Sequence, residues 1–389
     1  MERGKTGTYE CQSITGESYQ AFVPFALPPE VPLVIDERLA DLLEKANRAV
    51  GRLDGLAQIL PDVSLFLYFY IRKEAVLSSQ IEGTQSSLSD LLLFESDEVP
   101  GVPMADVQEV SRYVAAMQYG LDRIRTDGFP LSSRLLREMH GVLLSQGRGS
   151  TKEPGEFRRS QNWIGGSRPG NARFVPPPHE KVPECIGALE NFLHDVPTRT
   201  PTLIKAALAH VQFETIHPFL DGNGRIGRLL ITLLLCAEGA VREPLLYLSL
   251  YFKENRTTYY ELLSLVRERG DWEEWLAFFL TGVCEVGNQA SQTARSILTQ
   301  FDTDQKQILT LKRQTASTLR VHTYLQKHPL TEIAKISQTL DIAYNTALQS
   351  VEALQSLGIV SEVTGRQRDR VFSYSTYLAL LNEGTTTAR

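Results

Sequence analysis

Apolar positions recur at helical spacing along most of the chain. From Asp36 to about Ala57, residues Leu39, Leu42, Leu43, Ala46 and Val50 share one face, which predicts an amphipathic helix. Pro61-Asp62 interrupts the pattern. A second helix is predicted from Ser64 to about Glu82, with Gly83 in the position glycine favours just past a helix end. After the break at Pro100-Gly101-Val102-Pro103 a third covers about Ala105–Thr126, and Leu131–Gln146 reads as a helix opened by a serine cap. Further helices are expected at about 180–194, 201–216, 224–238, 257–269 and 272–287, the last with Asp271 and Glu274 as a capping box. Residues 1–30 read as irregular, extended chain ending in the proline-containing PFALPPEVP. The Gly- and Pro-rich region Gly147–Pro178 holds two short apolar runs, QNWIGG and ARFVPP, around Ser167-Arg168-Pro169-Gly170-Asn171. That reads as a β-hairpin over about 160–176 with an extended turn.

Gln289–Lys312 is polar and reads as a linker helix. The character then changes. A helix at Glu332–Thr339, a tight turn at Asp341–Tyr344 and a helix at Asn345–Ser356 ended by Gly358 come first. Strands at Ile359–Val363 and Arg370–Tyr374 follow, around the polar turn Thr364–Asp369. Helix, turn, helix and hairpin is the order of a winged helix-turn-helix unit. The expected organisation is an N-terminal helical region (1–104), a core (105–288), a linker helix (289–315) and a winged-helix domain (316–389).

With 389 residues, 42% hydrophobic and 22% charged, the chain can bury a sizeable core. Its longest nearly apolar stretches, Leu65–Ile71 and Leu229–Ala237, fall far short of the roughly 20 residues a membrane span needs. The N-terminal residues lack the apolar run of a secretory signal. Cys11, Cys185, Cys236 and Cys284 lie far apart with no C-x-x-C pairing, so neither a thiolate zinc site nor a disulfide framework is expected. A cytoplasmic protein without membrane contact fits all of this. The net charge is −6, but residues 311–389 carry nine Lys/Arg and six Asp/Glu, which leaves +3 on the tail and −9 on the body. A mildly basic tail is a weak pointer to nucleic acid.

The chemistry concentrates in His217-Pro-Phe-Leu-Asp-Gly-Asn-Gly-Arg-Ile-Gly-Arg228. Gly222-Asn-Gly224-Arg-Ile-Gly227 satisfies G-x-G-x-x-G, but that fingerprint needs a preceding strand. Ile204, Ala207, Leu208 and Val211 upstream have helical spacing instead, which argues against a dinucleotide fold. The segment reads as helix, loop, and a second helix starting near Asn223. The first N–H groups of that helix lack intrahelical acceptors, and Gly222 and Gly224 let a ligand approach them. Arg225 and Arg228, three apart, flank the same space; two arginines on a helix start suit a polyphosphate. Asp221 at the lip is a candidate Mg²⁺ ligand, and His217 a candidate general base.

HPFLDGNGRIGR matches H-x-F-x-[D/E]-G-N-G-R-x-x-R at every position, and on it the chain resembles the Fic family of protein adenylyltransferases, which move AMP from ATP to a protein hydroxyl. The resemblance covers roughly residues 20–290 and implies a mainly α fold: a Fic helical core with a small β-hairpin flap, here followed by the C-terminal winged helix-turn-helix. It implies that His217 deprotonates the target Ser, Thr or Tyr, that Phe219 anchors the loop, and that Asp221 places Mg²⁺ against the α- and β-phosphates. Gly222, Asn223, Gly224 and Arg225 would cradle the phosphates, with Ile226 and Gly227 in the same turn, and Arg228 would hold the γ-phosphate. Ser78-Ser-Gln-Ile-Glu82-Gly83 fits the family's inhibitory pattern [S/T]-x-x-x-E-[G/N]. A carboxylate in the last turn of a helix opposes the helix dipole, which itself suggests a tertiary partner for Glu82. The family makes that partner Arg228, so that Glu82 and the γ-phosphate compete for one guanidinium. The hairpin at 160–176 resembles the family's flap, where a target segment aligns by strand addition. Asn255 and Tyr260 sit where relatives contact the adenosine, although Asn255 is also a good N-cap.

Within the resemblance, AMP removal with Glu82 orienting a water, or another diphosphate donor, stays open. So do self-modification of tail hydroxyls and a homodimer. A second class of reading is a DNA-binding regulator with a nucleotide-sensing core. It would use residues 345–356 as recognition helix and Arg366, Arg368 and Arg370 as a basic wing. That helix, NTALQSVEALQS, has no Lys or Arg for base edges, which favours a dimerisation or protein-contact module.

Overall fold

The computed structural model describes residues 4–14, 17–59, 63–95, 102–311, 315–366 and 369–382. Strands β1 (Gly7–Ile14) and β2 (Glu17–Pro24) open the chain, followed by helices α1 (Glu37–Ile59), α2 (Val63–Ile81), α3 (Leu88–Glu95), α4 (Met104–Arg125) and α5 (Ser133–Leu143). Then come α6 (Val182–Leu193), α7 (Thr202–Ile216), α8 (Asn223–Ala237), α9 (Ser249–Glu254), α10 (Arg256–Arg269) and α11 (Trp272–Leu309). The last elements are α12 (Thr315–Lys327), β3 (Leu330–Glu332), α13 (Ile333–Leu340), α14 (Tyr344–Ser356), β4 (Ser361–Glu362), β5 (Val371–Ser373) and α15 (Ser375–Asn382). The mainly helical expectation holds. No described helix is long and apolar enough to cross a membrane.

Helix α7 is the axis of the core: Leu203 through Ile216 are all buried. A helix buried all round must satisfy its polar side chains internally. Lys205 pairs with Asp195 at 2.8 Å and with Glu238. His210 meets the Gly227 carbonyl at 2.9 Å and the Tyr259 hydroxyl at 2.8 Å, and Gln212 donates to the Phe25 carbonyl at 2.8 Å. Glu214 is the exception, since its Oε1 has no hydrogen-bond partner. Helix α8 packs closely along α7, and a Cβ on Gly227 would meet Glu214 Oε1 at 2.4 Å.

Several expectations need correction. The chain before residue 30 is not irregular: β1 and β2 pair antiparallel from Gly7↔Pro24 to Ile14↔Glu17. Tyr19 and Ala21 alternate inward against Val175, and Phe22 N–H donates to the Val175 carbonyl at 2.9 Å, so the hairpin gains its buried face from a distant segment. The expected hairpin at 160–176 shrinks to a single antiparallel bridge, Ile164↔Phe174. Gly165 and Gly166 adopt positive φ, a 3₁₀ turn covers Pro169–Asn171, and Pro176–Pro178 offer no N–H to extend the ladder. Residues 289–309 of the expected linker helix are no separate element: they are the second half of α11, where Ala290, Ala294 and Ile297 continue the buried stripe. Asp271 stands at the N-cap of α11 but makes no capping hydrogen bond. Helices α3, α9, α12 and α15 and strand β3 were not expected. Pro61-Asp62, Pro100-Gly101, Lys312 and Arg368 lie outside the described residues.

The C-terminal elements follow the expected order, with a three-stranded sheet β3-β5-β4 beside α12, α13 and α14. They are tied to α11 by the Tyr374 hydroxyl, which donates to buried Asp304 and meets His322 Nε2 at 3.1 Å. Tyr377 bridges further, with ring centroids 4.9 Å from Phe301 on α11 and 5.5 Å from Phe69 on α2.

Candidate active site

The loop between α7 and α8 is held in a shape that few side chains would adopt alone. His217 ends α7 at φ 49°, and Gly222 opens α8 at φ 76°. Positive φ at a non-glycine residue is sparsely populated, and the surroundings must enforce it. They do so through three residues. Asn223 accepts from Phe219 N–H at 2.8 Å through its side-chain oxygen and donates to the Phe219 carbonyl at 2.8 Å. His140 stacks on fully buried Phe219 at 3.8 Å between centroids and 6° between planes. Its Nδ1 accepts from Gly155 N–H at 2.8 Å, which leaves Nε2–H to donate to the Asp221 carbonyl at 3.0 Å. Arg158, only 2% exposed, reaches the His217 carbonyl through Nε at 3.0 Å and the Pro177 carbonyl through Nη2 at 2.5 Å. It thereby ties the segment after the Ile164–Phe174 bridge to the α7–α8 loop.

Around this loop stand most of the residues singled out from the sequence. His217 is half-buried, and burial lowers its pKa to about 4, with Arg158 adding to the shift. Its imidazole is therefore neutral at pH 7, the form a general base requires. Asp221 Oδ1 accepts from Gly222 N–H at 2.6 Å and lies 3.5 Å from Arg225 Nη2. Its Oδ2 faces Gly149, where a Cβ would come within 2.9 Å. A carboxylate at the lip of an anion site suits Mg²⁺, which takes one or two carboxylates plus phosphate oxygens. No group of three His, Cys, Asp or Glu among the described residues forms a protein-only metal cage, so a metal here would depend on the nucleotide for its other ligands.

The two arginines of the first turns of α8 are both buried at 2% exposure. Arg225 Nη1 donates to Glu109 of α4 at 2.7 Å. Arg228 is held from α2: Nε donates to Ser78 Oγ at 2.8 Å, and Nη2 to the Ser78 carbonyl at 3.0 Å and to Glu82 Oε1 at 2.7 Å. Gly83, at φ 105°, turns the chain away behind Glu82. Burial alone would raise the Glu82 carboxyl, but Arg228 outweighs it and holds the pKa below its ordinary value. The carboxylate also covers the start of α8. A Cβ on Gly224 would stand 2.3 Å from Glu82 Oε1, so glycine at that position is what admits it. Behind the pair, Glu74 of α2 is fully buried, accepts from Ser249 Oγ at 2.5 Å and Tyr113 at 3.2 Å, and is pushed up to about 7 by burial.

A cavity of about 250 Å³ opens between the Ile164–Phe174 bridge and α10. Tyr260 lines it, with Leu263, Ser264, Arg267 and Glu214. Asn255 does not line it: its side chain donates to the Tyr251 carbonyl at 3.0 Å, one turn back, at the junction of α9 and α10. Ile226 is fully buried in the core rather than facing the site. Sequence reading missed Arg158, Glu109, Glu214 and Arg267. His140 likewise gave no sign of its role. Arg158, Glu109 and His140 each lie on a segment remote in sequence from their partners; the only local signal is Glu214, one helical turn before His217.

Two family profiles match the chain: Fic/DOC family N-terminal over residues 40–122, and Fic/DOC family over residues 130–235. Protein adenylyltransferase Fic of Drosophila grimshawi is 27% identical over 273 residues, which are 69% of this chain and 52% of that protein. Its counterpart in Drosophila willistoni is 28% identical over 252 residues, 64% of this chain and 47% of that protein. The chain thus spans about half the length of the curated relatives it matches. Among solved structures, a Fic family protein from Desulfovibrio desulfuricans G20 is similar with a TM-score of 0.60 at 19% identity, over 89% of this chain and 98% of that one. Fic-1 from C. elegans is similar with a TM-score of 0.51 at 24% identity, over 67% and 74%. These structures share the fold, and the profiles cover the segments that carry both arginine contacts. Over residues 40–122 and 130–235 the chain matches the Fic/DOC family.

Proposed function

We propose that the chain is a protein adenylyltransferase that moves AMP from ATP to a hydroxyl side chain, held back by its own Glu82. The observation that carries this is the carboxylate resting on the glycine-opened start of α8 and paired with Arg228 at 2.7 Å. An anion already occupies the space that a positive helix end, two glycines and a guanidinium prepare for phosphate. The triphosphate would lie over Gly222, Asn223, Gly224 and Arg225, with its γ-phosphate taking Glu82's place on Arg228. The nucleoside would enter the cavity lined by Tyr260. Asp221 would hold Mg²⁺, which when bound neutralises charge building on the bridging phosphate oxygens.

In the transfer step the target hydroxyl oxygen bonds to the α-phosphorus while the bond to the pyrophosphate oxygen breaks. Neutral His217 takes the hydroxyl proton. The buried loop contacts from Arg158, Asn223 and His140 keep that imidazole in place, so little reorganisation accompanies reaction. The target's backbone would add to the Ile164–Phe174 segment, which leaves its side chain free to reach His217. The C-terminal unit we read as a winged helix used for protein contact, since α14 offers no Lys or Arg and Tyr377 packs on both α11 and α2.

The test follows label from α-labelled and γ-labelled ATP onto protein in wild type, Glu82→Gly and His217→Ala. Covalent α-label that rises in Glu82→Gly and vanishes in His217→Ala is the expected outcome. No covalent label from either position in any of the three would overturn the transfer reading.

A further inference from the structure

The Ile164–Phe174 bridge is too small to hold its own shape. It consists of two backbone hydrogen bonds, at 2.8 and 3.1 Å, between Gly165-Gly166 on one side and Pro176–Pro178 on the other. Even a full two-stranded hairpin is marginal in water. In an antiparallel bonded pair the two residues turn their N–H and C=O groups toward each other, and their neighbours turn theirs outward. Ile164 and Phe174 are such a pair, so Val175 faces one outer edge, and Trp163 and Gly165 face the other. Strand β2 lies along the Val175 edge. Phe22 N–H donates to the Val175 carbonyl at 2.9 Å, Tyr19 and Ala21 pack on Val175, and the Phe22 ring stands 6.2 Å from that of Phe174. Glu17 of β2 pairs at 3.1 Å with Arg168 in the turn.

The hairpin is itself anchored. Thr6 Oγ1 meets the Val266 and Arg267 carbonyls of α10, both at 3.1 Å. Arg267 closes the triangle by lying 4.0 Å over the Phe174 ring. The opposite edge of the bridge is open. Trp163 and Gly165 make no backbone hydrogen bond among the described residues, and Trp163 is 39% exposed. That edge starts beside the candidate base, since Asn162 Nδ2 donates to the Phe219 carbonyl at 2.9 Å and to the His217 carbonyl at 3.4 Å. An unpaired strand edge is a template for another chain.

We propose that the β1–β2 hairpin is the fixed third strand of the target platform. It braces the bridge along the Val175 edge and leaves the Trp163–Gly165 edge, next to His217, for an extended, hydroxyl-bearing segment of the target protein. This rests on the reading that the chain transfers AMP to a protein hydroxyl. A strand that adds to an edge gains affinity from main-chain hydrogen bonds, and these need a partner already held in extended form. With the brace in place, that ordering precedes the target. Without it, the target must order the bridge itself. Docking then weakens, while nucleotide binding on the first turns of α8 does not change.

The experiment uses the full chain carrying Glu82→Gly as parent. Ala21→Arg sets a long charged side chain against Val175 at a fully buried position, and Phe22→Ala trims the ring beside Phe174. Reduced, carboxymethylated casein serves as an extended, hydroxyl-bearing acceptor. Three quantities are read: amide exchange over residues 160–176 by mass spectrometry, the dissociation constant of Mg-ATP by calorimetry, and covalent α-label on casein as its concentration is varied. Each variant is expected to speed exchange over 160–176 about tenfold or more. Mg-ATP binding stays within about twofold, and kcat/KM for casein falls about tenfold or more, through KM. Cys11→Ser, at an exposed position on β1, changes none of the three. Unchanged exchange over 160–176 overturns the brace. Faster exchange with unchanged labelling of casein, or a loss of Mg-ATP affinity that matches the loss of labelling, overturns the platform. Each of these leaves the transfer reading standing; no α-label on casein in the parent removes that reading and this inference together.

Discussion

Arg225 and Arg228 lie one turn apart on α8, both 2% exposed, and each meets a glutamate oxygen at 2.7 Å. The resemblance ends at their partners. Glu109 belongs to the second turn of α4, inside the helix, with its side chain 5% exposed. Glu82 hangs at the end of α2, with its side chain 34% exposed and a glycine behind it. For Glu109, burial outweighs the attraction of Arg225 and its pKa is raised; for Glu82, Arg228 wins and the pKa is lowered. The first pair is a sealed strut that cannot open without unpacking α4 from α8. The second opens by moving one side chain into solvent, and Ser78 remains on Arg228 when it does. An exchangeable ion pair thus needs one partner at an element's end, not a weaker contact distance.

The sharpest way to break the comparison is to delete each glutamate. Glu109→Ala leaves a buried guanidinium without its partner and is expected to cost about 3–5 kcal/mol in urea unfolding. Glu82→Gly is expected to stay within about 1 kcal/mol, because its carboxylate is partly solvated. In activity the order reverses. If the braked state holds about 99% of molecules, Glu82→Gly raises covalent labelling on the order of 100-fold, read at low ATP. Next comes Ser78→Ala, which removes the hydroxyl on Arg228 Nε and frees the guanidinium to follow either partner. A change of about tenfold or less in the wild-type activity is expected, with no change in the Glu82→Gly background.

The smallest expected effect is with pH. Glu82's pKa is depressed, so its pairing with Arg228 is fully present above the ordinary carboxyl value of 4.5 and is lost only as pH falls below that. His217, lowered to about 4, stays neutral over the same range. At saturating ATP, the activity ratio of Glu82→Gly to wild type should therefore stay level between about pH 5 and pH 8, with no step at 6.5 where an ordinary histidine titrates. Initial rates across that range check it.

What was legible in the sequence divides along the same line. The loop from His217 to Arg228 carries its geometry in its own letters: Asn223 bonds back to Phe219, and Gly222 and Gly224 supply the φ and the clearance. The Glu82–Arg228 contact was reached through the family pattern and the odd placement of an acid at a helix end, and the structure forms it. Arg158, His140 and Glu109 carried no such signal, because each acts on a residue between 59 and 116 positions away. The N-terminal hairpin escaped for the same reason, since the face that makes it a hairpin is buried by Val175. Asn255 was legible only in part: it stands at the N-cap position of α10, but its side chain donates back to the Tyr251 carbonyl.

The central claim is that Glu82 and a terminal phosphate compete for Arg228. The direct measurement is the affinity of Mg-ATP against Mg-ADP by calorimetry in wild type and Glu82→Gly. With Glu82 on Arg228, the γ-phosphate gains nothing, and the two nucleotides should bind wild type alike. In Glu82→Gly, ATP should bind about tenfold or more tighter than ADP, and Arg228→Ala in that background should erase the gap. The same ATP-to-ADP ratio in wild type and Glu82→Gly would contradict the account.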